Sequence, residues 1–187
     1  MKTRRACLAA ALLTTALALT GCGEDTDSGA GSVPEGWGTL KTKGVDVSYP
    51  KGYAVQSAAE RGRHNAAAAV RTEGGKKVSV ITVQLAFTEA NSAEQAAIAA
   101  EAGIQMGADV QGQKDVELAG ADGAKRIDFS FKATGEDGGP ARGTPVEGVI
   151  LAGLDSKDTT FAIRIDAEQG SLPDGDLDRI IDSVEVH

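Results

Sequence analysis

The chain of 187 residues is 25% charged and 41% hydrophobic but only 4% aromatic; it is long enough for one globular unit and carries no repeat, heptad run or collagen period. Its 27 acidic and 19 basic residues leave a net charge of −8, and beyond the first five residues cations cluster only at Arg61-Gly62-Arg63 and Lys76-Lys77, which excludes a nucleic-acid partner whose phosphates need clustered Lys and Arg. The only long apolar run lies at the extreme N-terminus, so a polytopic membrane protein is excluded as well.

Lys2, Arg4 and Arg5 precede an Ala-, Leu- and Thr-rich stretch from Ala6 to Leu19, the length of a secretory leader and short for a spanning helix. The stretch runs into Leu19-Thr20-Gly21-Cys22, which resembles the bacterial lipobox. That resemblance implies residues 1–21 as a signal peptide, cleavage before Cys22 and a diacylglyceryl thioether on its sulfur. The mature chain would then hang from the extracytoplasmic face of the cell membrane by that anchor. Small side chains at 20 and 21 admit the peptidase, and only a thiol forms the thioether. Cys7 and Cys22 are the only cysteines, so the mature chain keeps one, acylated. No disulfide, zinc–thiolate site or cysteine nucleophile is expected. Losing the leader takes three of the 19 basic residues and no acid, leaving 16 against 27, a net of −11. Residues 22–36 then form the acylated cysteine and a tether. The 14 residues from Gly23 to Gly36 hold little apolar surface to repay ordering, and as a flexible coil they reach about 20 Å.

Residues 37–187 read as a single domain. Trp37 to Lys41, a turn at Thr42-Lys43-Gly44, and the strict alternation of Val45 to Tyr49 predict a hairpin. Pro50 and Gly52 break it before a weak apolar resumption at Tyr53-Ala54-Val55. Ala66 to Arg71 and Lys77 to Phe87 flank a Gly-Gly turn, and the second run is apolar on both faces, as in an interior strand. Ser92-Ala93-Glu94-Gln95 is a capping box opening a helix through Met106, with Ala97, Ala100 and Ile104 as its buried stripe. A strand is expected over Val110 to Leu118, a turn at Ala119 to Gly123, and a strand from Ala124 to Lys132 that points Ile127, Phe129 and Phe131 inward. A Gly- and acid-rich loop spans Ala133 to Pro145. Val146 to Leu154 and Thr159 to Asp166 then pair across Asp155-Ser156-Lys157-Asp158, and Leu177, Ile180, Ile181 and Val184 recur at helical spacing.

Chemistry-bearing motifs are sparse. Asp174, Asp176 and Asp178, with Glu185 at position 12, echo a calcium loop, but Arg179 occupies the position where such loops need glycine, and the acids suit a helix N-terminus instead. His64, the one histidine away from the C-terminus, has no G-x-S-x-G elbow to serve and reads as a loop residue. Arg61 and Arg63 beside it read as a solvated basic loop rather than an anion site. Gly138-Gly139 lacks the Lys-Ser/Thr of a phosphate-binding loop. Trp37, the sole tryptophan, is expected to cover a core edge. No catalytic residue, metal or cofactor is expected.

Antiparallel hairpins around one long helix with a terminal helix predict an α+β fold, mostly antiparallel sheet covered by helices. Val45-Asp46-Val47-Ser48-Tyr49-Pro50-Lys51-Gly52-Tyr53, the run from Gly120 to Phe131, and Asp178 to Val184 resemble the PsbP-like α/β sandwich, in particular the LpqN-type lipoproteins of actinobacteria. The resemblance implies a non-catalytic module that docks an envelope protein. Photosystem-associated members are linked to metal, but no histidine cluster here matches, so that role is not carried over. The alternative is a carrier holding a small apolar molecule or lipid between sheet and helix, where the alanines would leave room; an enzyme using His64 or Asp128 ranks below both.

Overall fold

The computed structural model describes residues 33–173 and 175–187; the leader, the Leu19 to Cys22 motif and most of the tether lie outside the described residues. The elements are β1 (Gly38–Lys41), β2 (Val45–Tyr49), β3 (Tyr53–Val55), β4 (Ala67–Glu73), β5 (Lys76–Leu85), α1 (Ala93–Glu101), β6 (Asp109–Val116), β7 (Ala121–Lys132), β8 (Pro145–Asp155), β9 (Thr160–Glu168), α2 (Asp176–Asp182) and β10 (Glu185–Val186). They form a seven-stranded sheet ordered β3-β4-β5-β9-β8-β7-β6 and a three-stranded sheet ordered β1-β2-β10, with every strand pair antiparallel. The expected α+β class holds.

The period-2 geometry of a strand lets the large sheet serve two cores. On β8, Val149 and Leu151 join one cluster with Ile81, Val83, Phe161, Ile163 and Ile165, while the intervening Ile150 and Ala152 join a second with Ile127, Phe129 and Ala162. Helix α1 seats Ala97 on the second cluster. The first is closed by Leu40, Val45 and Val47 of the small sheet and by Ile180 and Ile181 of α2. One face is therefore covered by a helix, and the other mostly by strands.

Strand β5 is interior, between β4 and β9, as its two apolar faces require. Its turn from β4 is Gly74-Gly75 with φ of 56° and 80°, the left-handed pair that a two-residue hairpin demands. Ser92 caps α1, its Oγ accepting from the Gln95 N–H at 3.3 Å, but the glutamine reaches back to the Asn91 N–H rather than to that of Ser92. The helix stops at Glu101, short of Met106. Gly103 follows the cap residue Ala102, and the chain tightens into Gly103 N→Ala100 O and Ile104 N→Glu101 O turns that leave Met106 99% exposed. Ala96 is buried in the stripe alongside Ala97, while Ala100 and Ile104 are half-buried.

Strand β7 begins at Ala121, two residues before the expected turn closes, and a bulge between Ala121 and Gly123 absorbs the offset. Phe131 is half-buried rather than core, because α1 ends before reaching it. Val184 lies beyond α2 and packs into the first cluster on the way to β10, a two-residue strand with no sequence signal of its own. Trp37 packs against that same cluster, as expected.

Candidate functional site

Strand register defines one end of the large sheet. Tyr53, Arg71, Ser79, Ala167, Glu147, Ser130 and Asp109 pair in succession across all seven strands. The Tyr49 ring lies 5.9 Å from that of Tyr53, and Tyr49 pairs with Gly38, where the chain enters the domain. Three clefts open along this row, so they share the end from which the chain leads back toward Cys22.

The largest, about 830 Å³, wraps the β6–β7 margin between Met106, Ser130, Phe131, Glu147 and Leu177. Asp128 lies in it, its Oδ2 2.9 Å from Lys114 Nζ and its Oδ1 2.7 Å from Arg126 Nη2. Burial alone would raise the Asp128 pKa; hydrogen bonds from Lys114 and Arg126, with their charges, outweigh it and hold the carboxyl below the ordinary aspartate value. An acid held ionised between two cations has no readily shared proton, so it suits structure better than general acid–base work. A second cleft of about 260 Å³ adjoins the first through Glu147, Val149 and Leu177, and ends at Leu172 and Pro173.

The third cleft, about 240 Å³, is roofed. Loop 133–144 leaves β7, arches over the ends of β8 and β9, and reaches β5, where the Lys77 N–H donates to Gly138 O at 2.8 Å. Gly143 N→Ala133 O at 2.8 Å and Ala133 N→Thr144 O at 2.9 Å close the foot of the arch. Beneath it lie Val78, Val80, Phe131 and Val146; Asp166 and Glu168 stand on β9, with Glu136 and Asp137 on the roof. Asp166 is 24% exposed at its side chain and accepts from Arg164 Nε at 2.9 Å. Burial raises its pKa above the ordinary value against the opposing charge and hydrogen bond of Arg164. Arg164 in turn lies 4.9 Å over the Phe129 ring and donates to Gly103 O, tying the end of α1 to the sheet.

His64 and Asp128 are not brought together. His64 sits in the exposed β3–β4 loop accepting from Arg63 Nε at 2.9 Å, and β4 is four strand spacings from β7, about 19 Å. Arg61 donates to Asn65 O at 2.9 Å, bracing its own loop. Of the calcium-like run, Asp174 lies outside the described residues, Asp176 pairs with Arg179 at 3.1 Å, and Glu185 is on β10 opposite Asp46. The described residues hold no group of three or more His, Cys, Asp or Glu placed for a metal. Asp137 and Gly138, with φ of 53° and 71°, are the central pair of the arch's turn, which Gly139 N→Glu136 O closes at 2.9 Å. Cys22 and its lipobox neighbours Leu19, Thr20 and Gly21 lie outside the described residues. Among those described, no helix is long and apolar enough to cross a membrane.

Sequence reasoning missed the arch because a Gly- and acid-rich loop looks the same whether it is free or pinned by one backbone hydrogen bond to a distant strand. The space between α1 and the sheet is filled: Ala96, Ala97, Ile127 and Ala152 have no accessible surface, so no water-sized void adjoins them.

No protein family and no curated protein matches the sequence. Among solved structures, LpqN of Mycobacterium tuberculosis, involved in cell envelope biogenesis, matches 80% of this chain and 90% of its own at a TM-score of 0.51 and 15% identity, a likeness of fold. PsbP (CyanoP) of the cyanobacterium Synechocystis matches at 0.48 and 10% identity, covering 90% of this chain and 99% of its own. A protein of Bacteroides thetaiotaomicron matches at 0.46 and 9%; the match takes in 76% of this chain and only 45% of that one.

Proposed function

We propose that this chain is a lipid-anchored, extracytoplasmic module of the cell envelope that works by docking other proteins and performs no chemistry of its own. One observation carries the reading: the largest cleft and two smaller ones open at the end of the sheet where the chain enters the domain at Gly38, while a single cleft of about 220 Å³ lies at the opposite end beside Leu85 and Asp155, so a domain anchored at Cys22 would present most of its concave surface beside the membrane. A leader ending in Leu19-Thr20-Gly21-Cys22 supports the anchor, and the likeness to the envelope protein LpqN supports the compartment. The ion pairs that hold Asp128 ionised between Lys114 and Arg126 favour a structural role for it over a catalytic one.

Proximity labelling from the intact cell surface tests this. The wild-type chain is expected to label a defined set of envelope proteins, and a secreted version with Cys22→Ser is expected to lose most of that set. An identical set from both would remove the anchor from the account. A second reading is a carrier for a small apolar or lipid ligand; the 830 Å³ cleft has the volume of a small-molecule site, roughly 300–1,000 Å³, but Arg126, Asp128, Lys132 and Glu147 in its lining suit a polar ligand better than an apolar one. Native mass spectrometry of the purified protein decides it, since a retained ligand mass supports carriage and a bare mass supports docking.

A further inference from the structure

We propose that the roofed cleft beneath loop 133–144 is the seat for a basic side chain, lysine or arginine, projected by the partner protein; the inference rests on the docking reading above and names the chemistry by which the partner is held. At about 240 Å³ the cleft is smaller than the roughly 300–1,000 Å³ of sites that swallow a whole ligand, and it suits a single anchoring side chain. Its floor is apolar, formed by Val78, Val80, Phe131 and Val146, with Pro140 above, which matches the methylene stem of a long cationic residue.

The charges around that floor select the head group. Glu136, Asp137 and Glu168 make no ion pair among the described residues, and Asp166 is shared with Arg164. Lys77 is the one cation on the lining. A neutral apolar anchor would desolvate these carboxylates without replacing their water, and an acidic one would be repelled. A lysine or arginine covers the apolar floor and gives the carboxylates charge-assisted donors. The seat is preformed: the arch is held at both its tip and its foot by backbone hydrogen bonds, so little ordering remains to be done on binding. The domain's acidic balance also steers cations toward it.

The test uses the mature lipoprotein in lipid nanodiscs with labelled valine methyls, titrated with Nα-acetyl-lysine methylamide and Nα-acetyl-arginine methylamide. Nα-acetyl-norleucine methylamide serves as the isostere that keeps the stem and lacks the charge. The basic probes are expected to shift the methyl signals of Val78, Val80 and Val146, with norleucine binding about tenfold more weakly. Asp166→Asn with Glu168→Gln is expected to abolish the preference for charge. Because Asp166 braces Arg164, the exposed roof variant Glu136→Gln with Asp137→Asn provides a second measure, expected to weaken the basic probes severalfold without touching the sheet. Equal binding of norleucine and lysine probes, shifts confined to other surfaces, or an unchanged preference in a folded variant would each overturn the seat. The titration needs no partner, so it fails or stands separately from the labelling experiment that tests docking.

Discussion

Phe129 and Gly148 show how one residue fixes another across the sheet. They are paired in register on β7 and β8, and the ring lies over the glycine so closely that an added Cβ would overlap it. Phe129 is 2% exposed and braced by Arg164 from above, so the ring has little room to yield. Gly148→Ala is expected to cost about 1–3 kcal/mol by overpacking, and Phe129→Ala about 3–5 kcal/mol by cavity formation, both read from urea unfolding. A neutral result for Gly148→Ala would mean that the ring is free to turn aside. Asp155 acts at the same scale: its Oδ1 accepts from the Lys157 and Thr159 N–H groups, each at 2.8 Å, and so shapes the β8–β9 turn. Burial would raise its pKa, but those backbone hydrogen bonds outweigh it and hold the carboxyl below the ordinary value.

The C-terminal strand is held on both sides by close backbone contacts, to β2 and to the Ala119–Gly120 turn. Gly120 has φ of +76° and sits so close to Val186 O that a side chain there would meet backbone. Val186 N donates to Ala119 O at 2.7 Å, and Val186 pairs with Val45 of β2. Gly120→Ala is therefore expected to free β10 and raise amide exchange at Val184 and Val186 well before global unfolding, whereas protection equal to wild type would contradict this account of the clamp. Losing the α1 cap through Ser92→Ala is expected to cost about 1 kcal/mol, measured by thermal unfolding.

Where alternation or spacing was strong, the sequence was readable: Val45 to Tyr49, the two-faced β5, and Ile127 with Phe129 all lie as their periods require. Boundaries were harder. Ala102, Ile104, Gln105 and Met106 suit a helix, but Gly103 among them lets the chain tighten into local turns and α1 stops at Glu101. Val184 keeps helical spacing with Ile180 yet lies beyond α2, because a buried apolar side chain satisfies either geometry. Of the three-stranded cover, the β1–β2 hairpin is legible in the alternation of Val45 to Tyr49, but β10 is not, since a two-residue strand has no period. Of the candidate site, the acids of Glu136 and Asp137 were legible as composition, but their position over the ends of β8 and β9 follows from one hydrogen bond to β5.

At the scale of the molecule, carboxyls shifted in opposite directions contribute to the response to acid. Asp128 and Asp155 bind protons more weakly folded than unfolded, so their contribution is full at neutral pH and is lost as pH falls below about 4 and through their depressed folded values. Asp166 runs the other way: folding holds its proton more tightly, so its contribution declines as pH rises through the ordinary aspartate value, and acid relieves it. The lowered carboxyls Asp128 and Asp155 contribute acid destabilisation, read as a falling urea midpoint between about pH 5 and pH 3, and the Asp128 share is read as a shallower fall in Asp128→Asn. An Asp128→Asn profile as steep as wild type would show that the Lys114–Asp128–Arg126 group is not part of that response.

The placement of the clefts gains its meaning only if the domain is held at a membrane by the end along which they open. Feeding cells an alkyne analogue of palmitate and reading its incorporation into this chain measures that condition directly. The wild-type chain is expected to carry the label and Cys22→Ser to carry none; equal labelling of the two would contradict the account.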